Sequence, residues 1–244
     1  SAVFTQMHHY HARTTTAAGH ATLATGCYPS THGIVDNNVY VRSTGVTEYS
    51  ILDTSIHFIG VENCNLKKVS AARLQRPTIG DIVKSKNAKS KSYSVALKDR
   101  SSILMGGKDA NRAFWFDAES IRMVSSDYYN ERFPDWALSF SGDSTERESL
   151  ATGWIYNTPY DVTKLDGDSA SYECGKFLPW FPHTLASLDT LYVSQDRVGN
   201  FLWNTPFGDH YVLEFAKQLI AKNELGQDEH CDVLTIGLSA ADII

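Results

Sequence analysis

The sequence has no long apolar run, no excess of positive charge and no internal repeat, and each absence narrows what the protein can be. No apolar stretch approaches the ~18 residues that a membrane helix needs. The net charge of −6 gives no electrostatic footprint for nucleic acid, although it is compatible with an anionic substrate. The composition, 42% hydrophobic and 20% charged, is that of an ordinary globular protein. We therefore expect a globular chain, monomeric, without a membrane segment or a nucleic-acid partner.

Cysteine is also scarce. The four cysteines, Cys27, Cys64, Cys174 and Cys231, are widely spaced and form no Cys-x-x-Cys or other zinc-ligand pattern. One or two disulfides in an oxidising compartment and four free thiols are both consistent with this spacing. Because Cys231 opens an apolar strand, we expect it to be buried rather than bonded.

The periodicity of the apolar residues predicts alternating strands and helices, hence an α/β fold with a mainly parallel sheet between helices. A helix is predicted from Thr78, with Ile79, Ile82 and Val83 on one face. A second helix is predicted with Asp209 as its N-cap and Gly226 at its end. Strands are predicted over 94–97, 113–116, 122–125 and 232–238. The last strand lacks polar alternation, which is typical of a parallel sheet covered on both sides.

Residues 138–204 differ from the rest of the chain, with several tryptophans and tyrosines, polar stretches and no sustained periodicity. We interpret them as an insertion or cap on a core formed by 1–137 and 205–244. Aromatic side chains in such a segment usually pack, because each ring buries a large apolar area.

The stretch from Arg13 to Tyr40 carries the strongest local signals. Three threonines precede the helix-favouring run 17–25, and Gly26 follows where a left-handed C-cap is expected. Thr16 is the predicted N-cap, with its hydroxyl in the positive field of the helix start, which attracts phosphate. A threonine in this position usually only caps a helix, but a base or a metal would make it a nucleophile.

Several histidines lie near this stretch. His8, His9 and His11 alternate in a way that suggests metal ligands, but no carboxylate or cysteine accompanies them, so metal binding is the weaker interpretation. We interpret His20 and His32 as structural residues that brace the helix and the turn after it.

Lys98 and Arg100 follow the strand predicted over 94–97, at the point where α/β proteins place their chemistry. Side chains alternate along a strand, so the two cations are predicted to point to the same side. Such a pair forms either a solvated surface or an anion clamp.

The string TAAGHATLATGCYPSTHGIVDNN resembles the nucleophile motif of the alkaline phosphatase superfamily. Within it, the chain looks like the type I phosphodiesterase/nucleotide pyrophosphatase branch, and most of all like the phosphate-irrepressible bacterial alkaline phosphatases. The matching positions are Thr16, Gly19, His20, Thr25, Gly26, Pro29, His32, Gly33, Ile34 and Asn37. Similar blocks recur along most of the chain, as LKDRSSIL, AFWFD, SSDYYNERFPDW, TPFGDHYVLEFAKQLI and DVLTIGLSAAD.

The resemblance implies a site with two zinc ions and a threonine nucleophile, which falls on Thr16. The family asparagine that contacts a phosphoryl oxygen falls on Asn37, and its Lys-x-Arg pair falls on Lys98 and Arg100. That pair favours a monoester, whose extra negative oxygen it can meet. The expected function is hydrolysis of a phosphate ester substrate, a monoester, through a covalent phosphothreonine. The alternatives are a phosphodiesterase or nucleotide pyrophosphatase of the same fold and a degenerate anion-binding domain. A sulfatase is disfavoured, because no Cys/Ser-x-Pro-x-Arg motif stands at Thr16.

Only part of the family's metal ligands can be matched. Thr16 is one, and Asp242 resembles the aspartate of an Asp-x-x-Gly-His block whose Gly-His is missing here. We therefore expect a piece of a longer enzyme that is inactive alone. We expect the full-length form to be periplasmic or secreted, although no signal peptide is visible.

Overall fold

The computed structural model describes residues 8–61, 67–142, 150–156, 181–187 and 197–243, together with residues 3, 5 and 6. Its centre is a five-stranded sheet in the order β3-β6-β5-β4-β7, and β1 and β2 form a separate two-stranded hairpin. The strands are β1 Asn38–Val41, β2 Val46–Tyr49, β3 Phe58–Ile59, β4 Ser92–Ala96, β5 Arg112–Asp117, β6 Arg122–Ser126 and β7 Val233–Gly237. β4 is parallel to both β5 and β7, whereas β6 is antiparallel to both β5 and β3.

Helices lie on both faces of this sheet. Over the described residues they are α1 Thr16–Thr25, α2 Pro29–His32, α3 Ile79–Lys86, α4 Asp99–Gly106, α5 Asp135–Leu138, α6 Arg197–Trp203, α7 Pro206–Lys222 and α8 Ala240–Ile243, and a 3₁₀ turn spans Leu185–Ser187.

The central strand β5 shows why the helices divide into two layers. All its residues are buried, and successive side chains point to opposite faces. Ala113 and Trp115 pack in one apolar cluster with α1 and α4, whereas Phe114 and Phe116 pack in another with α7. Each buried phenylalanine contributes roughly 1.5–3 kcal/mol. The predicted α/β sheet between helices is therefore confirmed, with the antiparallel strands β6 and β3 beside three parallel strands, β5, β4 and β7.

The strands predicted over 113–116 and 122–125 are confirmed, and so is the helix start at Thr78. Thr78 and Asp81 form a capping box, in which the Asp81 N–H donates to the Thr78 hydroxyl (3.2 Å) and the Thr78 N–H to the Asp81 carboxylate (2.8 Å).

The face assigned to this helix is wrong, because Ile79 and Ile82 are 59% and 45% exposed. The helix packs instead through Gly80, where an added Cβ would lie 2.2 Å from the Ser92 hydroxyl.

The predicted parallel strand over 232–238 corresponds to β7, but its predicted burial on both faces is wrong. β7 pairs with β4 on one side and is the edge strand of the described sheet. Ile236 is accordingly 41% exposed, and Leu238 after it is also exposed. The apolar composition of this segment predicted a strand, but it did not predict how many strands pair with it.

The helix predicted from Asp209 begins earlier, at Pro206, with Thr205 before it, so Asp209 lies in the first turn and is not the N-cap. The predicted apolar face is confirmed for Val212, Phe215, Ala216 and Leu219, which are buried. Ile220 is partly exposed. The helix ends at Lys222, and Gly226 lies in the turn beyond it with φ +68°.

Cys27 and Cys231 are free thiols, and Cys231 is exposed, so its predicted burial is wrong. It lies in the loop before β7 instead of inside the strand. Cys64 and Cys174 lie outside the described residues, as does much of the predicted 138–204 cap, which stays a prediction. Among the described helices none has both the length and the apolar character to cross a membrane.

Candidate active site

Thr16 is the first residue of α1 and not its N-cap, which is Thr15 in an extended conformation. The prediction is wrong by one residue, because Thr14, Thr15 and Thr16 give the same capping signal. The predicted C-cap is confirmed, since Gly26 adopts a left-handed conformation (φ +65°) and its N–H donates to the Thr22 carbonyl at 2.9 Å.

Asn37 caps the start of α1 from a distance of 20 residues. Its Oδ1 accepts the Ala17 N–H at 2.9 Å and so satisfies one of the N–H groups that a helix start leaves unpaired. The predicted phosphoryl contact and the predicted nucleophile are thereby brought to one place. With Oδ1 used as an acceptor, the amide Nδ2 of Asn37 is the group available to donate.

His32 is fully buried, and both ring nitrogens have partners. Its Nδ1 accepts the Ile34 N–H (3.1 Å), so its Nε2 carries the proton and donates to the Thr22 hydroxyl (3.0 Å). The interaction ties α1 to the turn after α2, as expected for a structural residue. Gly33 completes that turn with φ +83°, which favours glycine.

The burial of His32 predicts a pH effect on stability. Burial, and after it the charge of His11, lowers the pKa of the His32 imidazole below its ordinary value of 6.5. The unfolded chain therefore binds this proton more readily, so the stabilisation is complete above pH 6.5 and is lost as the pH falls below it. We expect the free energy of unfolding in urea to decrease between pH 7.5 and 5.5, with His32 contributing up to about 1.4 kcal/mol per pH unit.

The control is a pair of substitutions. His32→Gln keeps an acceptor and a donor but cannot titrate, so it should flatten the pH dependence. His9→Gln, at an exposed position, should leave it unchanged. An unchanged slope in His32→Gln would show that other groups cause the effect.

The sequence suggested that Lys98 and Arg100 continue a strand, but the structure places neither of them on one. β4 ends at Ala96, and α4 begins at Asp99, with Lys98 as its N-cap and Arg100 in its first turn. The argument from strand alternation is therefore wrong, and the position of the pair at the C-terminal end of β4 is right. Asp99 favours the helix start here, because a carboxylate is stabilised in the first turn.

α1 packs directly against α4. His20, one turn into α1, bonds through Nδ1 with the Thr16 carbonyl (2.8 Å) and braces the helix start as expected. Burial lowers the pKa of His20, and the charges of Lys98, Asp242 and Arg100 also act on it. The predicted residues of α1, α4 and α8 therefore share one region.

Lys98 is buried and forms an ion pair with Asp242, 144 residues further along the chain. Asp242 lies on α8, just after the end of β7. Asp209 of α7 secures this segment, because its carboxylate accepts the N–H groups of Ser239 (2.6 Å) and Ala240 (3.1 and 3.2 Å). Asp209 was predicted to cap its own helix, but its carboxylate instead accepts backbone N–H groups at the start of α8.

Tyr49 is a residue of this region that the sequence did not indicate. It ends β2, and its hydroxyl contacts Asp99 and Arg100. No local pattern marks it, because its partners lie 50 and 51 residues away.

Comparison with known proteins places the chain in a family. A model described as type I phosphodiesterase/nucleotide pyrophosphatase matches residues 2–219. The chain belongs to this family.

The curated relatives that this chain matches include proteins named as alkaline phosphatases. PafA of Elizabethkingia meningoseptica is 31% identical over 95% of this chain. PhoV of Synechococcus elongatus is also 31% identical over 95%. The chain spans 42% of the length of each of these relatives.

A crystal structure of a PafA variant, substituted at a threonine, an asparagine, a lysine and an arginine, matches the fold with a TM-score of 0.82 at 28% identity. The match covers 93% of this chain and 44% of the PafA chain. The expected resemblance to bacterial alkaline phosphatases is thus confirmed.

Among the residues that the structure describes, no three His, Cys, Asp or Glu side chains come together as metal ligands would. His8 and His9 are exposed, and His11 bonds to the Arg13 carbonyl (2.8 Å). The two predicted donors are the Thr16 hydroxyl and the Asp242 carboxylate, which is shared with Lys98.

Proposed function

We propose that the protein hydrolyses phosphate monoesters, with Thr16 as the nucleophile. The observation that carries the proposal is the packing of α1 on α4, with Asn37 capping one helix start and Lys98 and Arg100 at the other. Membership of the family supports a phosphoric ester hydrolase. The PafA variant adds support, because its substituted residue types, in chain order, are those of Thr16, Asn37, Lys98 and Arg100.

Each side chain has a role that suits its surroundings. The amide Nδ2 of Asn37 donates to a phosphoryl oxygen, because its Oδ1 is held by Ala17. Lys98 and Arg100 place positive charge beside the remaining oxygens, where charge-assisted hydrogen bonds are strongest. Donors fixed in advance at such positions stabilise the charge of the transition state.

The proposed reaction has two steps. The Thr16 Oγ1 loses its proton and forms a bond to phosphorus, the bond from phosphorus to the ester oxygen breaks, and the leaving alcohol takes up a proton in place of the one that Thr16 lost. Water then attacks the phosphothreonine, which releases inorganic phosphate and restores the threonine hydroxyl. The overall reaction converts the phosphate ester and one water molecule into the alcohol and inorganic phosphate.

Zinc is implied by the resemblance and would supply the positive charge that favours a threonine alkoxide. Zinc sites in enzymes use three or four protein donors. Thr16 and Asp242 provide two oxygen donors, so the described residues do not complete a zinc site. The proposal of a metal-dependent hydrolase therefore requires further donors, and no step above is assigned to the metal.

We expect the 244-residue chain by itself to bind less than one zinc ion tightly and to show no measurable hydrolysis of 4-nitrophenyl phosphate. The reason is the shortage of donors, which leaves the Thr16 hydroxyl protonated. Native mass spectrometry and a colorimetric assay measure both quantities. Two tightly bound ions with fast turnover would show that ligands were missed, and His8, His9 and His11 would be examined first.

A phosphodiesterase or nucleotide pyrophosphatase is the second candidate, favoured by the description of the matching family model. Steady-state hydrolysis of 4-nitrophenyl phosphate and bis-4-nitrophenyl phosphate by the zinc-loaded, full-length gene product separates the two. A higher kcat/KM for the monoester supports our proposal, and a higher value for the diester contradicts it. Turnover of neither, with zinc bound, would favour the degenerate anion-binding domain.

The periplasmic or secreted location, the monomeric state and the lack of a nucleic-acid partner stay predictions from the sequence.

A further inference from the structure

We propose that Tyr49 is a positioning residue, whose hydroxyl holds the Arg100 guanidinium where it meets the extra oxygen of a phosphate monoester. The inference rests on the proposed function and names the group that sets its substrate preference. Tyr49 belongs to the β1–β2 hairpin, outside the helices that carry Thr16 and Arg100.

The Tyr49 hydroxyl lies between a cation and an anion. It donates to the Asp99 carboxylate, at 2.7 Å from Oδ1 and 2.9 Å from Oδ2, and accepts a hydrogen bond from Nη1 of Arg100. The guanidinium carbon also lies 5.1 Å from the centre of the Tyr49 ring, within range of a cation–π contact. One side chain thus fixes Arg100 both through its hydroxyl and through its ring.

The Tyr49 hydroxyl links the Asp99 carboxylate to the Arg100 guanidinium. The Arg100 Nη1 and the Asp99 Oδ1 are 4.0 Å apart, too far for a hydrogen bond. The same Oδ1 accepts the Arg100 backbone N–H at 2.6 Å, so the carboxylate is held in place. The sequence of contacts from Asp99 through the Tyr49 hydroxyl to Arg100 therefore orients the guanidinium.

Arg100 keeps donors for a ligand, because its contact with Tyr49 uses only one of the five N–H groups of the guanidinium. Its side chain is 22% exposed, and its Nε is buried without a hydrogen-bond partner among the described residues. A buried N–H without an acceptor is costly, more so on a charged group. A phosphoryl oxygen is an acceptor that suits the remaining N–H groups of Arg100.

The Tyr49 hydroxyl stays protonated in this position. Burial, and after it the charge of Asp99, raises the pKa of Tyr49 well above its ordinary value of 10. A neutral hydroxyl has one hydrogen to donate and lone pairs to accept, which matches Asp99 on one side and Arg100 on the other.

The hairpin that carries Tyr49 also positions Asn37. Tyr49 pairs with Asn38 in the hairpin register, and the Ser50 N–H donates to the Asn37 carbonyl at 3.0 Å. Two phosphoryl contacts from different parts of the chain are therefore set by the base of one hairpin.

Tyr49→Phe in the zinc-loaded, full-length gene product tests the proposal. We expect kcat/KM for 4-nitrophenyl phosphate to fall about 10-fold, the typical value of a hydrogen bond to a charged group, with the diester changed by less than about 2-fold. In an Arg100→Ala background the same substitution should have no further effect on the monoester, because the residue acts through Arg100. The inhibition constant for inorganic phosphate should rise by a similar factor, about 10-fold.

Tyr93→Phe is the matched control, since it removes a half-buried hydroxyl that donates to Asn223 at 2.8 Å, away from the site. It should change neither substrate's kcat/KM. If Tyr49→Phe lowers the melting temperature, Asp99→Asn provides a second test and should give a selective monoester loss of the same sign.

Equal losses on monoester and diester, or additive losses with Arg100→Ala, would overturn the positioning role while the proposed function stands. A wild-type protein that hydrolyses neither substrate would overturn both.

Discussion

Thr16→Ala is expected to lower kcat for phosphate monoesters by a factor on the order of 10⁴ or more, as removal of a nucleophile does in other hydrolases. The reason is that the proposed covalent step uses the Thr16 hydroxyl, at the first position of α1. Thr16→Ser should retain most of the activity, since it keeps the hydroxyl. Steady-state assays of the full-length gene product, with acid-quench trapping of the phosphorylated enzyme, measure both effects.

Thr25→Ala is the control in the same helix. Its hydroxyl donates to the Ala21 carbonyl (2.7 Å) in the last turn of α1, far from the helix start. We expect near wild-type turnover. If Thr16→Ala kept a tenth of the activity or more, water or another residue would have to be the nucleophile.

The double substitution of Lys98 and Arg100 by alanine is expected to lower monoester kcat/KM by roughly 10²–10³-fold, the range seen when a preorganised donor is lost. A diester carries a substituent where the monoester has its extra oxygen, so its kcat/KM should fall by less than about 10-fold. The measurement is the ratio of kcat/KM for an aryl phosphate monoester to kcat/KM for an aryl phosphate diester, and a fall in this ratio supports the predicted role.

Arg132→Ala with Lys217→Ala controls for the change in net charge, because both side chains are exposed and lie outside the site. It should leave the ratio unchanged. Equal losses on both substrates after substitution of Lys98 and Arg100 would indicate a structural or general binding role, such as the solvated surface considered from the sequence.

Local patterns predicted the parts of the fold that depend on local chemistry. The Gly26 cap, the Thr78 helix start and the β5 and β6 strands follow from turn residues and apolar periodicity, and all are confirmed. Similarity to a family added the positions of Thr16, Asn37, Lys98 and Arg100. Their roles stay proposals, although the structure brings their elements together.

Several of the errors concern features that depend on distant residues. Ile79 and Ile82 have the spacing of a buried face, but the sheet packs on Gly80. Lys98 and Arg100 lie at a helix start instead of a strand end, and the local signal for this start is the acidic Asp99 between them. The Tyr49 contact joins residues 50 apart, for which periodicity contains no information.

The ion pair between Lys98 and Asp242 has a consequence for synthesis of the protein on the ribosome. The partners are 144 residues apart, and ribosomes add about 5–20 residues per second, so Lys98 precedes its carboxylate by on the order of ten seconds. A buried ammonium without its partner costs several kcal/mol. Lys98 therefore stays in water until Asp242 has been added, so this ion pair forms well after β4 and α4 have been synthesised.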